Sequence, residues 1–168
     1  MIKLFIKYLK RFIRKFFNKI DYSGKFDVIE VALYLVYLSV KKKKYLSISQ
    51  LIQLLYLIQE FYLDKKKFAL FKEDFLITNK GRLEIKEVNN YFCGFGVMDL
   101  FYQYSNLKGD CKILKEYQIE LEQLFDNYID KVKSGEFEKS LKELSKLYTP
   151  SFDEFFVFSK DSILNNKF

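Results

Sequence analysis

Apolar side chains recur along this chain at steps of three and four, the spacing that lays them on one face of an α-helix. From Val28, the positions Val31, Ala32, Leu35, Val36, Leu38 and Ser39 keep that step up to the lysines 41–44, and Asp27 stands where an N-cap side chain accepts from the first free amides. The lysine run reads as a solvated helix end, its charge suited to a helix C-terminus. Ser47 and Gln50 have the spacing of a capping box, so a second helix opens there and runs to Leu63. Leu51, Leu54, Leu55, Ile58, Phe61 and Tyr62 cover so much of its circumference that it belongs in the middle of the core.

Beyond it the step changes. Residues 68–78 are apolar without a helical period and close on Asn79-Lys80-Gly81, a turn signal, so they read as an extended, hairpin-like stretch. A short helix over 84–92 breaks at Cys93-Gly94-Phe95-Gly96, and Val97 to Tyr104 forms another short apolar piece. Residues 112–133 carry Ile113, Leu114, Tyr117, Leu121, Leu124, Phe125, Tyr128, Ile129 and Val132 at helical spacing, and Gly135 ends that helix. A further helix over 136–147 turns Phe137, Leu141, Leu144 and Leu147 inward and stops at Thr149-Pro150. The tail holds Phe155, Phe156, Val157 and Phe158, too apolar to be left in water, and is expected to dock on the body. The prediction is a mainly α, compact single-domain bundle of about six helices over residues 27–168, with a short β-hairpin-like segment.

The first twenty residues stand apart. Ile2, Phe5, Ile6, Leu9, Phe12, Ile13, Phe16, Phe17 and Ile20 fall on one helical face, while Lys3, Lys7, Lys10, Arg11, Arg14, Lys15 and Lys19 take the other, with no acid among them. This predicts an N-terminal amphipathic basic helix over 1–20, joined to the body by a hinge at 21–26, where the first acid and the first glycine occur. The chain has 29 Lys plus Arg against 22 Asp plus Glu, so removing those seven bases leaves 22 against 22. The whole +7 belongs to the arm, an asymmetry that points to an anionic partner: a protein face, nucleic acid or a membrane surface. The charges interrupt any signal-peptide core, and no apolar run approaches the ~20 residues of a membrane span, so a cytoplasmic protein is expected.

Composition narrows the chemistry. Histidine is absent and cysteine occurs twice, at Cys93 and Cys111 without CxxC spacing, which removes Ser-His-Asp and Cys-His nucleophilic sites and His-ligated zinc. The two thiols are expected buried or half-buried, as free cysteines usually are. Gly94-Phe95-Gly96 lacks the preceding strand and third glycine of a dinucleotide fingerprint and reads as a turn. The acid pairs Glu73 and Asp74, Glu84 and Glu87, and Asp126 and Asp130 read as solvated surface rather than as acid–base or metal sites. No catalytic, cofactor or metal set emerges, and a non-enzymatic protein is expected.

Asp27-Val28 at a helix start, Ile48-Ser49 leading into Leu51-Ile52-Gln53-Leu54-Leu55-Tyr56-Leu57-Ile58-Gln59, and then Ala69-Leu70-Phe71-Lys72-Glu73-Asp74 follow one another in the middle of the chain. In this order they resemble the Panacea (SocA-like) antitoxin domain. Leu54-Leu55-Tyr56 with Gln59 is the strongest part of the resemblance. Gly81 stands in the place of that family's Gly-Pro turn, followed by Val88 and Tyr91, and Leu147-Tyr148-Thr149-Pro150 in that of its late element. Ile52-Gln53 in place of Gln-Lys, Arg82 in place of proline, and the missing tryptophan and histidine are departures. The resemblance spans about residues 26–150 and implies a helical binding protein that neutralises a toxin or other effector by direct contact.

These readings converge on a protein-binding inhibitor, antitoxin-like or a phage-borne inhibitor of a host defence nuclease of the anti-CRISPR kind. The expected contact residues are Phe5, Phe12, Ile13 and Phe16 entering a groove on the partner, with Lys7, Arg11, Arg14, Lys15 and Lys19 pairing acidic groups around it. The same arm could hold nucleic acid without reading its sequence, directly or through a target's RNA, or rest on an anionic membrane surface.

Overall fold

Asp27 caps the first helix as its position predicts: its carboxylate accepts the Ile29 amide at 2.7 Å, and α1 runs Val28–Lys41. The computed structural model describes residues 19–78, 80–96, 99, 113–148 and 155–165; the expected basic helix lies outside these up to residue 18, as do Cys111 and, Asp99 apart, Val97 to Tyr104. The capping box forms in full, with the Gln50 N–H donating to Ser47 Oγ at 3.2 Å and the Ser47 N–H to Gln50 Oε1 at 3.0 Å. It opens α2, Ile48–Phe61, in which every residue from Leu51 to Gln59 is buried. This is the central helix, packed against α1 and against α4, Lys115–Lys133. At its C-terminal end the chain widens into a π-helical turn, Tyr62–Lys66, closed by Lys67 in the left-handed region at φ 64°.

Gln59 is fully buried and turns its amide onto the loop that follows. Its Nε2 donates to the Phe71 carbonyl at 2.8 Å and its Oε1 accepts the Leu70 amide at 2.9 Å. Residues 21–26, where the sequence places a hinge, are stitched to the other side of that loop. The Asp21 N–H donates to Lys67 O at 3.0 Å, the Ala69 N–H to Asp21 O at 2.6 Å and the Phe26 N–H to Leu70 O at 2.8 Å.

The hairpin is present as β1, Phe75–Thr78, antiparallel to the short β2, Leu83–Glu84. Its turn needs Gly81, which sits at φ 73° so close to α5, Glu136–Tyr148, that a Cβ would lie 2.7 Å from Lys142 Cα. The tail docks, as its apolarity demands, and does so as β3, Phe155–Phe158, giving the order β2-β1-β3 with Phe75 opposite Phe158 and Thr78 opposite Phe155. Two short helices complete the described elements: α3, Lys86–Tyr91, which starts two residues later than the predicted 84–92 because Glu84 belongs to β2, and α6, Lys160–Asn165. The fold is mainly α, with six helices among the described residues and one small antiparallel sheet.

One expectation about charge is corrected. The lysines after α1 are not a solvated end but an ion-paired seam with α4: Lys42 meets Asp126 at 2.8 Å and Glu122 at 3.1 Å, and Lys44 meets Asp130 at 3.0 Å. The acids sit four residues apart on α4 and so share the face turned to α1. Surface pairs of this kind contribute little stability each.

Replacing Gln59 with leucine leaves the buried Phe71 carbonyl and Leu70 amide without their side-chain partners. At about 1–3 kcal/mol for each unsatisfied buried group, the expected loss is about 2–6 kcal/mol, seen as a lower urea midpoint at unchanged slope.

Candidate partner-binding surface

The strap 21–26 fixes the position of Asp21, two residues after Lys19, against the loop 67–70. Gly24 makes the route possible: at φ 78° its backbone lies against the loop, and a Cβ there would fall onto the Lys72 amide nitrogen and within 2.8 Å of the Phe71 carbonyl carbon. Beside the strap lies an aromatic floor. Phe26 meets Tyr117 edge-on with centroids 5.1 Å apart, Tyr62 packs on Phe68 at 5.4 Å, and Tyr62 and Tyr117 stack at 6.4 Å. The Lys25 ammonium stands over Tyr117 at 4.7 Å and over Phe68 at 5.6 Å, a cation–π arrangement at the surface.

The π-helical turn delivers three consecutive lysines to this place. Lys65, Lys66 and Lys67 are all exposed. Glu120 on α4 receives the Tyr62 hydroxyl at 2.7 Å on one oxygen and Lys66 at 2.7 Å on the other, tying the turn to the helix. Burial first, and then the bond to Glu120, push the Tyr62 hydroxyl far upward, so it remains a donor throughout the physiological range. Two grooves flank Phe68. One, about 520 Å³, lies between the strap and Lys67–Ala69; the other, about 330 Å³, runs between Lys66, Phe68 and the α4 face bearing Tyr117 and Ile119.

The C-terminal segment braces the same region from behind. Lys160 is buried, pairs with Asp74 at 2.9 Å and donates to the Lys72 carbonyl. Tyr22, in the strap, donates its hydroxyl to Asp161, and burial together with that carboxylate pushes the phenol up to about 12.

Of the residues the sequence singles out for binding, Phe5, Lys7, Arg11, Phe12, Ile13, Arg14, Lys15 and Phe16 lie outside the described residues. Lys19 is exposed, two residues ahead of the bridge between Asp21 and Phe68. The acid pairs are dispersed: Asp74, Asp126 and Asp130 are engaged by lysines, Glu84 is on β2 and Glu87 on α3. Glu73 is half-buried, its carboxyl shifted upward by burial and then by Asp27 and Glu87 nearby. Among the described residues no group of three or more acidic or cysteine side chains is placed to hold a metal ion. Cys93 is exposed, against the expectation of a buried thiol: Phe92 takes the core position as α3 ends, and the next residue turns out. A separate cleft of about 430 Å³ between the start of α2, the β1–β2 turn and α5 mixes Lys80, Arg82 and Lys142 with Glu84 and Glu138.

No known protein family, curated protein or solved structure matches the chain. Among the described residues no helix is long and apolar enough to cross a membrane.

Two outcomes test this geometry. Gly24→Ala forces both a left-handed alanine and a clash with loop backbone, and is expected to cost about 2 kcal/mol or more in chemical denaturation. The Tyr22 pKa is raised from 10.0 in the free side chain to about 12 in the fold, so its hydrogen bond stabilises fully below pH 10 and is lost as pH climbs to 12. The stability gap between wild type and Tyr22→Phe should close across that window, and the phenolate absorbance difference between them should titrate near 12 rather than 10.

Proposed function

We propose that the protein is a non-enzymatic inhibitor that neutralises a protein partner by direct contact, in the manner the SocA-like antitoxin resemblance implies. The observation that supports this most is the placement of charge. The entire formal +7 is carried by residues 1–20, while the rest of the chain balances 22 bases against 22 acids. A basic segment with an apolar stripe, rooted by a rigid strap beside an aromatic surface, suits groove binding by Phe5, Phe12, Ile13 and Phe16. Lys7, Arg11, Arg14, Lys15 and Lys19 then serve rim pairing. Apolar and aromatic anchors carry most of such an interface's energy, and the rim charges speed and orient the encounter.

The residues that carry the family resemblance support the fold more than the activity. Leu54, Leu55 and Tyr56 are core side chains and Gln59 holds a loop, so their likeness is a likeness of framework.

The test is capture of partners by tagged full-length protein from its native host, with and without nuclease, followed by affinity measurement on a variant lacking residues 1–20. A single protein retained after nuclease, with affinity falling about 100-fold or more on truncation, is expected. Capture lost to nuclease and to salt would move the function to nucleic acid or to an RNA-containing target such as a defence nuclease. Retention on anionic vesicles alone would move it to a membrane surface.

A further inference from the structure

We propose that the surface around Phe68 is a second contact for the same partner, and that it receives an acidic protein segment with an apolar side chain beside its carboxylates. This rests on the partner-binding reading of residues 1–20 and extends it to the body. The strap holds Asp21 to Lys67 and Ala69 through backbone hydrogen bonds of 3.0 and 2.6 Å, so Lys19 is two residues along the chain from the one bonded to Lys67. Anything held by the basic segment near its root therefore meets this surface.

The charges say what it fits. Lys65 and Lys66 are engaged by Asp64 at 3.1 Å and Glu120 at 2.7 Å. Lys19, Lys25 and Lys67 have no ion pair among the described residues, and Lys25 and Lys67 line the groove between strap and loop. Carboxylates arriving there find two ammonium groups and the aromatic face beneath Lys25. The neighbouring groove sets Phe68, Tyr117 and Ile119, which is 63% exposed, among Lys66, Glu116, Glu120 and Gln123. An apolar side chain of the segment would lie against those three.

Nucleic acid fits less well. Asp21, Asp64, Glu116 and Glu120 are interspersed among the lysines, and a backbone with a negative charge at every nucleotide would set phosphates against them. A protein segment can place its few carboxylates at Lys25 and Lys67 and its apolar residue at Ile119. Both grooves are walled by hydrogen-bonded backbone and by the Tyr62–Glu120–Lys66 tie, so they are preformed and binding them costs little ordering.

The test uses the full-length chain and a labelled peptide of alternating glutamate and leucine, with an oligothymidylate of equal charge as competitor. The variants are Lys67→Glu, Ile119→Asp, the combined Arg11→Gln/Arg14→Gln/Lys15→Gln, and Lys139→Glu on α5 as a control. Exposure of Lys67 and Ile119 means that neither change removes a core contact, and unaltered melting verifies this. Lys67→Glu and Ile119→Asp should each weaken peptide binding about tenfold or more, and Lys139→Glu should leave it unchanged. If the triple variant weakens binding while Lys67→Glu and Ile119→Asp bind as wild type, the reading of the arm stands and this proposal is overturned. The reverse pattern supports the surface and removes the arm. An oligothymidylate that displaces the peptide from wild type, and binds Lys67→Glu more weakly, would make nucleic acid the ligand and overturn the proposal.

Discussion

A single buried amide sets the relation between the halves of this molecule. Gln59 sits at zero exposure on the central helix, where a polar side chain is costly unless its hydrogen bonds are made. It makes them to the backbone of Leu70 and Phe71, and so pins an irregular loop to the core at fixed height. That loop in turn presents the Leu70 carbonyl to Lys25 and Phe26, and Ala69 bonds to Asp21. Two residues after Phe26, α1 begins under its Asp27 cap. The direction in which the chain enters its first helix is therefore a consequence of where one glutamine on the second helix points, and Gly24 is the residue small enough to let the strap lie that close.

The C-terminal segment closes the same region from the other side. β3 completes the sheet on the free side of β1, and the residues just beyond it, Lys160 and Asp161, reach Asp74 and Tyr22 across sequence separations of 86 and 139 residues. Both ends of the described chain converge on the loop after the π-helical turn. Contacts of such separation repay loop-closure entropy, and here they include the Lys160–Asp74 ion pair, the β1–β3 ladder and the buried side chain of Ile163. The loop is thus held by Gln59 from the core, by the strap on one side and by Lys160 on the other.

What could be read in the sequence was what local chemistry decides. Asp27, Ser47 with Gln50, and Gly135 mark helix ends because caps and left-handed stops act over four or five residues, and each sits where its spacing predicts. The buried run from Leu51 to Gln59 was legible because a helix apolar on all sides has one place to go. The third strand was not, since Phe155–Phe158 shows that the tail must be buried while its register with β1 depends on a distant partner. The π-helical turn escaped for a related reason: the apolar step carries through Phe61 and Tyr62, and nothing in it marks the added residue per turn.

The site was the least legible part, because charge was counted along the chain whereas binding is decided in space. A body with equal numbers of acids and bases looks inert, yet the pairing is uneven. Glu122, Asp126 and Asp130 are engaged by the lysines that follow α1. Lys65 and Lys66 of the π-helical turn are engaged by Asp64 and Glu120, which leaves Lys67, just after it, beside Lys25. The run 65–67 is visible in the sequence, three lysines just past an apolar helix, but only the strap's hydrogen bonds to Lys67 and Ala69 bring it to the root of the basic segment. Net neutrality of the body therefore coexists with a local cationic edge, and that edge lies where the arm's own charge begins.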